Sequence, residues 1–151
     1  MTEIKDRHGY VVQPDDDLNG FDFDSSHLDD VNLSGRQMEG AIFSEASMMN
    51  SNLEDCDLYW AVFYRTNLAN ANLKRACLRG ADMKEANLTG TDLREADLGR
   101  DNLDGSTQLQ GANFSGSLVD GTIFAGAIYD RDTIFPADFD PVYNGMILVS
   151  D

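Results

Sequence analysis

A five-residue beat constrains this chain more than anything else in it. It is plainest at Ala71-Asn72-Leu73-Lys74-Arg75, Ala76-Cys77-Leu78-Arg79-Gly80, Ala81-Asp82-Met83-Lys84-Glu85 and Ala86-Asn87-Leu88-Thr89-Gly90. A small residue is followed two positions later by a large apolar one, and the unit repeats. Neither a helix face, with a period of about 3.6, nor a strand face, with a period of about 2, produces this spacing. A chain that turns a corner every five residues does.

With the large residue as the centre of each unit, centres fall every five residues from Leu18 to Leu103. The register then slips by one residue within Asp101–Thr107 and resumes at Leu109, Phe114, Val119, Phe124, Tyr129 and Ile134. All 24 centres are apolar, and the position two before the centre is Ala, Ser, Thr or Cys in every unit from Ala41 to Ala96. Both columns are therefore expected to point inward. Asn or Asp often precedes the centre, where a short polar side chain can bond nearby backbone in a tight turn. Glycine recurs at the last position of the unit, which suits corners with unusual dihedrals. Asp16, Phe21, Arg36, Asp101 and Asp132 occupy the small-residue position near the ends or at the slip. Buried unpaired charge is costly, so these units are expected to be distorted or open to water. The extra residue at the slip reads as a bulge whose free amides Asp101 accepts.

The A-(N/D)-L-x-x pattern resembles the pentapeptide-repeat family. The resemblance implies an all-β fold: a right-handed, quadrilateral parallel β-helix with four units per coil, about six coils and terminal caps. At about 4.8 Å per coil that is a rod on the order of 30 Å long. The resulting division is an N-terminal segment or cap at residues 1–15, the repeat helix at 16–135 and a C-terminal cap at 136–151. Tyr10-Val11-Val12 is expected to pair with the first coil, and Asp140-Pro141 to begin a short helical turn that Asn144-Gly145 ends. Phe139, Val142, Tyr143, Met146, Ile147, Leu148 and Val149 are expected to plug the open end of the tube. Docking of a second copy there is the alternative, because some members of the family dimerise end to end.

The net charge of −16 raises a further implication of the resemblance. Some members imitate duplex DNA and bind DNA gyrase, conferring quinolone resistance. The charge is unevenly placed, however. Residues 62–100 hold five acids against seven bases, namely Arg65, Lys74, Arg75, Arg79, Lys84, Arg94 and Arg100, whereas 101–151 hold eight against one. Acidic ends flanking a slightly basic waist do not make a continuous phosphate-like stripe. Residues twenty apart should stack, which predicts charge ladders Glu45-Arg65-Glu85, Asp55-Arg75-Glu95 and Glu54-Lys74-Arg94.

One outward cluster stands apart: Tyr59, Trp60, Val62, Tyr64 and Arg65 on one corner, with Trp60 between Gly40 and Gly80 in its column. Aromatic residues beside an arginine have the composition of a protein-binding hot spot. The competing reading lays Trp60 flat over the glycines, with Arg79 stacked on Tyr59. A tube filled with side chains offers no substrate cavity. No His, Ser or Thr has a visible catalytic partner, and Asp15–Asp17 lacks calcium-loop spacing. The expectation is therefore a non-enzyme without catalytic residues, cofactor or metal. It is a cytoplasmic protein-binding module or scaffold whose partner is an unidentified protein, making no direct contact with nucleic acid or membrane. A DNA mimic acting on gyrase or another DNA-binding protein is the alternative, and a rigid structural spacer the third. Cys56 should face inward and Cys77 outward, so no disulfide is expected.

Overall fold

The computed structural model describes residues 3–150. Each five-residue unit forms one side of a tube, and its backbone chemistry repeats. In the unit around Leu73, the Asn72 side-chain oxygen accepts the Lys74 N–H at 3.0 Å. The Ala76 N–H closes the corner on the Leu73 carbonyl at 3.0 Å. The residue between, Arg75, has φ 57°. Gly80 and Gly90 hold the same left-handed conformation, but so do Glu85 and Glu95. The glycines only relieve a strain of roughly 1–2 kcal/mol that other residues tolerate at this corner.

Both edges of each side are then paired. The Asn72 N–H donates to Ser51 one coil below at 2.9 Å, and the Leu73 N–H to Asp92 one coil above at 2.8 Å. Parallel pairs twenty residues apart run up the tube, as in Asp22–Ile42–Val62–Asp82 and Asn32–Asn52–Asn72–Asp92. Peptide groups along the sides thus find partners in the neighbouring coils, and those at the corners within their own unit.

The centres fill the interior. Phe23, Phe43 and Phe63 stack with ring centroids 5.2 and 5.0 Å apart and nearly parallel planes. The small-residue positions are inward too. Several of their polar members donate to a carbonyl from the coil below, while the buried Ser26 and Ser51 hydroxyls have no partner. Thr66 Oγ1 donates to Phe43 at 2.7 Å, Thr91 Oγ1 to Leu68 at 3.0 Å and Cys56 Sγ to Leu33 at 3.0 Å. Burial pushes the Cys56 thiol up to about 11. Since the thiolate is the reacting species, Cys56 should be inert to a thiol-disulfide reagent at pH 8 in the folded protein and titrate fully in denaturant. Fast native reaction of both cysteines would contradict its inward position. Cys77 is half-buried, and neither cysteine is in a disulfide.

Two expected centres are not centres. Leu103 is 74% exposed. Asp82 pairs with Gln108, not with residue 102, so the slip is not a one-residue bulge. A whole unit leaves the wall along with the extra residue, and residues 99–106 form a projecting loop. The cause is Asp101. In the wall its carboxylate would be buried; in the loop it accepts the N–H groups of Leu103 at 2.8 Å and Gly105 at 2.7 Å. Thr107 takes the small-residue position, its one hydroxyl proton facing the Gly99 carbonyl at 2.9 Å and the Leu78 carbonyl at 3.2 Å.

A second slip follows Tyr129. Asn113 pairs with Ile134, which turns Ile134 outward and makes Phe135 the centre, its ring stacked 6.0 Å from Phe114. Thr133 replaces Asp132 in the small-residue position and donates to Leu109 at 3.0 Å. The Asp130 side chain collects the Gly111, Asp132 and Thr133 amides, each at 3.0 Å.

The ends differ from expectation in detail. Val11 pairs antiparallel with Lys5 rather than with the first coil. Ile4, Val12 and Phe21 pack against the core from this hairpin and the first coil. Arg36, in a small-residue position, turns outward and donates to the Asp16 carbonyl at 2.9 Å and the Gln13 carbonyl at 3.3 Å. At the other end, strand β1 (Ile128–Tyr129) pairs in parallel with β2 (Ile147–Leu148). Phe139 stacks on Phe135 at 5.1 Å and Met146 is buried. Val142, Tyr143, Ile147 and Leu148 remain exposed, so only part of the expected plug enters the tube. Residues 141–145 form consecutive turns without a helix.

Candidate functional site

The corner between the Leu58 and Phe63 units carries all five residues singled out from the sequence, and the structure divides them into two groups. Tyr59 and Trp60 sit at the turn itself, their ring centroids 4.7 Å apart. Trp60 has φ 59°, a costly conformation for a bulky residue. Its ring leans over Gly80, where an added Cβ would lie 2.6 Å from Trp60 Cδ1. At this corner glycine is therefore needed for space, since other residues tolerate the same positive φ elsewhere.

Both rings reach loop 99–106. The Trp60 indole N–H donates to Asp101 Oδ2 at 2.7 Å. The Asn102 N–H donates to the Tyr59 oxygen at 2.9 Å, and the Tyr59 hydroxyl donates to the Asn102 side chain. Asp101 is held below the usual carboxylate range, first by the Trp60 hydrogen bond; burial opposes this, and the Gly105 and Leu103 amides and the Arg79 charge then add to the lowering. Arg79 does not stack on Tyr59. Its Nε donates to the Arg100 carbonyl at 2.6 Å, with Asp97 3.8 Å away.

Val62, Tyr64 and Arg65 lie on the next side. Val62 is half-buried in the column between Ile42 and Asp82. The Arg65 guanidinium is 5.0 Å from the Tyr64 ring centroid, within cation–π range, while its Nε donates to Glu85 Oε2 at 2.7 Å. Trp60 keeps 40% of its surface exposed and Tyr64 stays half-buried.

The charge columns are partly made. Arg65 meets Glu85, and Arg75 reaches both Asp55 at 2.8 Å and Glu54 at 2.6 Å. Arg94 turns to Asp92 of its own unit at 2.6 Å, and Glu54 pairs with Arg75 rather than Lys74. The third predicted column therefore does not form. A long guanidinium reaches sideways to the nearest carboxylate, so vertical stacking alone does not choose its partner.

Sequence reasoning missed the fastening of loop 99–106. The signal present was Asp101 in a small-residue position between Gly99 and Gly105. Beyond the loop, an open groove of about 520 Å³ lies between Arg79, Arg100, Ile123 and Ile147. Among the described residues no group of His, Cys, Asp and Glu could hold a metal ion, and no helix is long and apolar enough to cross a membrane.

Among solved structures, a pentapeptide repeat protein from the Arabidopsis thaliana thylakoid lumen is 27% identical over 78% of this chain and 72% of its own, with a TM-score of 0.49. A pentapeptide repeat protein from Nostoc is 27% identical over 84% of both chains, with a TM-score of 0.42. QnrB1, a plasmid-mediated fluoroquinolone resistance protein, is 16% identical over 83% of this chain and 78% of its own, with a TM-score of 0.35. No curated protein matches the chain. The family described as pentapeptide repeats matches in eight copies over residues 26–63 and 61–100. That stretch is the one in which inward columns, Asx turns and twenty-residue pairing are most regular, and the chain belongs to the pentapeptide-repeat family, whose fold is a right-handed β-helix.

Proposed function

We propose that this protein is a non-enzymatic protein-binding module that contacts another protein through the corner of Tyr59, Trp60, Val62, Tyr64 and Arg65. The observation that carries the reading is Trp60. It takes part in a hydrogen bond at 2.7 Å and still leaves 40% of its surface in water. A half-exposed aromatic beside a second aromatic and a guanidinium has the composition of a hot spot. Pull-downs from the native host with wild type and a Trp60→Ala, Tyr64→Ala double variant test it. Loss of the specifically retained partner by about tenfold or more is expected, since one hot-spot truncation costs at least about 2 kcal/mol. Equal retention would remove the corner from consideration.

A cytoplasmic setting and an absence of direct nucleic-acid or membrane contact belong to the same proposal. A homodimer through the C-terminal end, where Ile147 and Leu148 are exposed, is a subsidiary one. The net charge of −16 favours a DNA mimic, but the basic waist and its ion pairs interrupt the negative surface that phosphate mimicry needs. A plain spacer would tolerate every surface substitution that preserves folding.

A further inference from the structure

Loop 99–106 crosses the corner that carries Tyr59 and Trp60, and the bonds that fasten it there are polar. The Asn102 N–H donates to Tyr59 at 2.9 Å, Trp60 donates to Asp101 at 2.7 Å, and Arg79 donates to the Arg100 carbonyl at 2.6 Å. Leu103, the large apolar side chain of the loop, adds almost nothing to the hold, being 74% exposed. A loop fastened by burial would have turned Leu103 inward. Polar bonds exposed to water are individually weak, because water replaces them on release. Gly105 supplies backbone freedom near the C-terminal end of the excursion, while Gly99 at the other end is buried and held by Asp97 and Thr107. An open groove of about 520 Å³ lies beside Gly99 and Arg100, so the N-terminal end of the loop is not packed in on that side.

We propose that loop 99–106 is a strap that alternates between this fastened state and a released one, and that release uncovers the Tyr59 and Trp60 rings. Its use in controlling a partner rests on the protein-binding reading of this corner; its geometry does not. Asp101 is the fastener. One carboxylate takes the Trp60 indole and the Leu103 and Gly105 amides, so the internal turn of the loop and its attachment to the coil share a single residue. The Asp101 side chain also folds over Gly105, where an added Cβ would lie 2.3 Å from Asp101 Oδ2. Gly105 thereby keeps space for the carboxylate to close.

The chain has one tryptophan, so indole fluorescence reads the strap directly. In Asp101→Ala, the acrylamide quenching constant of Trp60 should rise about twofold. The Leu103 and Gly105 amides should exchange about tenfold faster, as expected from losing charge-assisted hydrogen bonds. Tyr59→Phe removes only the hydroxyl and should give an intermediate rise with an unchanged melting midpoint. That variant keeps the test open if Asp101→Ala folds poorly. Anilinonaphthalene sulfonate, an apolar dye, should bind Asp101→Ala more than wild type, and the excess should vanish when Trp60→Ala is added. Quenching and exchange unchanged in both single variants would overturn the proposal, as would excess dye binding that does not depend on Trp60. If the strap opens but the corner variants still retain their partner, the binding reading fails and the strap stands. If the corner variants lose the partner while the loop stays immobile, the strap fails and the binding reading stands.

Discussion

Phe43→Ala is expected to destabilise the fold by about 3–5 kcal/mol, the cost of removing a large aromatic from a closed interior. Phe43 has no exposed surface and is the middle ring of three, stacked between Phe23 and Phe63. A solenoid coil touches only its neighbours, so the cavity would lie between those two rings. The backbone cannot collapse around it, because each coil is held in register by hydrogen bonds on both edges. Urea denaturation with an unchanged slope and a lowered midpoint is the measurement. A loss below about 1 kcal/mol would mean that the neighbouring coils repack, against the rigid column described above.

Ala81→Leu tests the other inward column and is expected to cost about 1–3 kcal/mol by overpacking. Ala81 has no exposed surface and lies two residues before the centre Met83. Its column continues through Ala61 and Ala41 below, so added methylenes would meet Cβ atoms and backbone, not a flexible chain end. The control is Ala69→Leu. That residue is half-exposed on an outward position, and the substitution should stay within about 0.5 kcal/mol. Equal melting midpoints for wild type and Ala81→Leu would contradict the inward assignment; a large loss in Ala69→Leu would show that the outward positions are also tightly packed.

The inward columns were legible because a small residue and a large one at fixed spacing have few places to go in a tube. Phe43, Ala81, Thr66 and Cys56 all stand where the pattern put them, and Asp101 does accept the free amides at the slip. Leu103 and Ile134 show the limit. Each has the right spacing for a centre, but spacing records only distance along the chain. Whether a unit joins the wall also depends on its small-residue position, and there Asp101 and Asp132 are too costly to bury. The wall therefore skips to Thr107 and Thr133, whose hydroxyls find carbonyls one coil below. The corner cluster was legible as composition, and its five residues do occupy adjoining sides. Its division into a fastened pair, Tyr59 and Trp60, and a separate group of Val62, Tyr64 and Arg65 was not.

What the sequence by itself determined is the period, the two inward columns and the family, since these follow from side-chain size repeated every five residues. What only the tertiary structure decided is which units leave the wall and what the departing residues bind. Asp101 meets Trp60 across forty-one positions of sequence. That contact depends on a loop swinging back over the coil beneath it, and no local spacing encodes so distant a hydrogen bond.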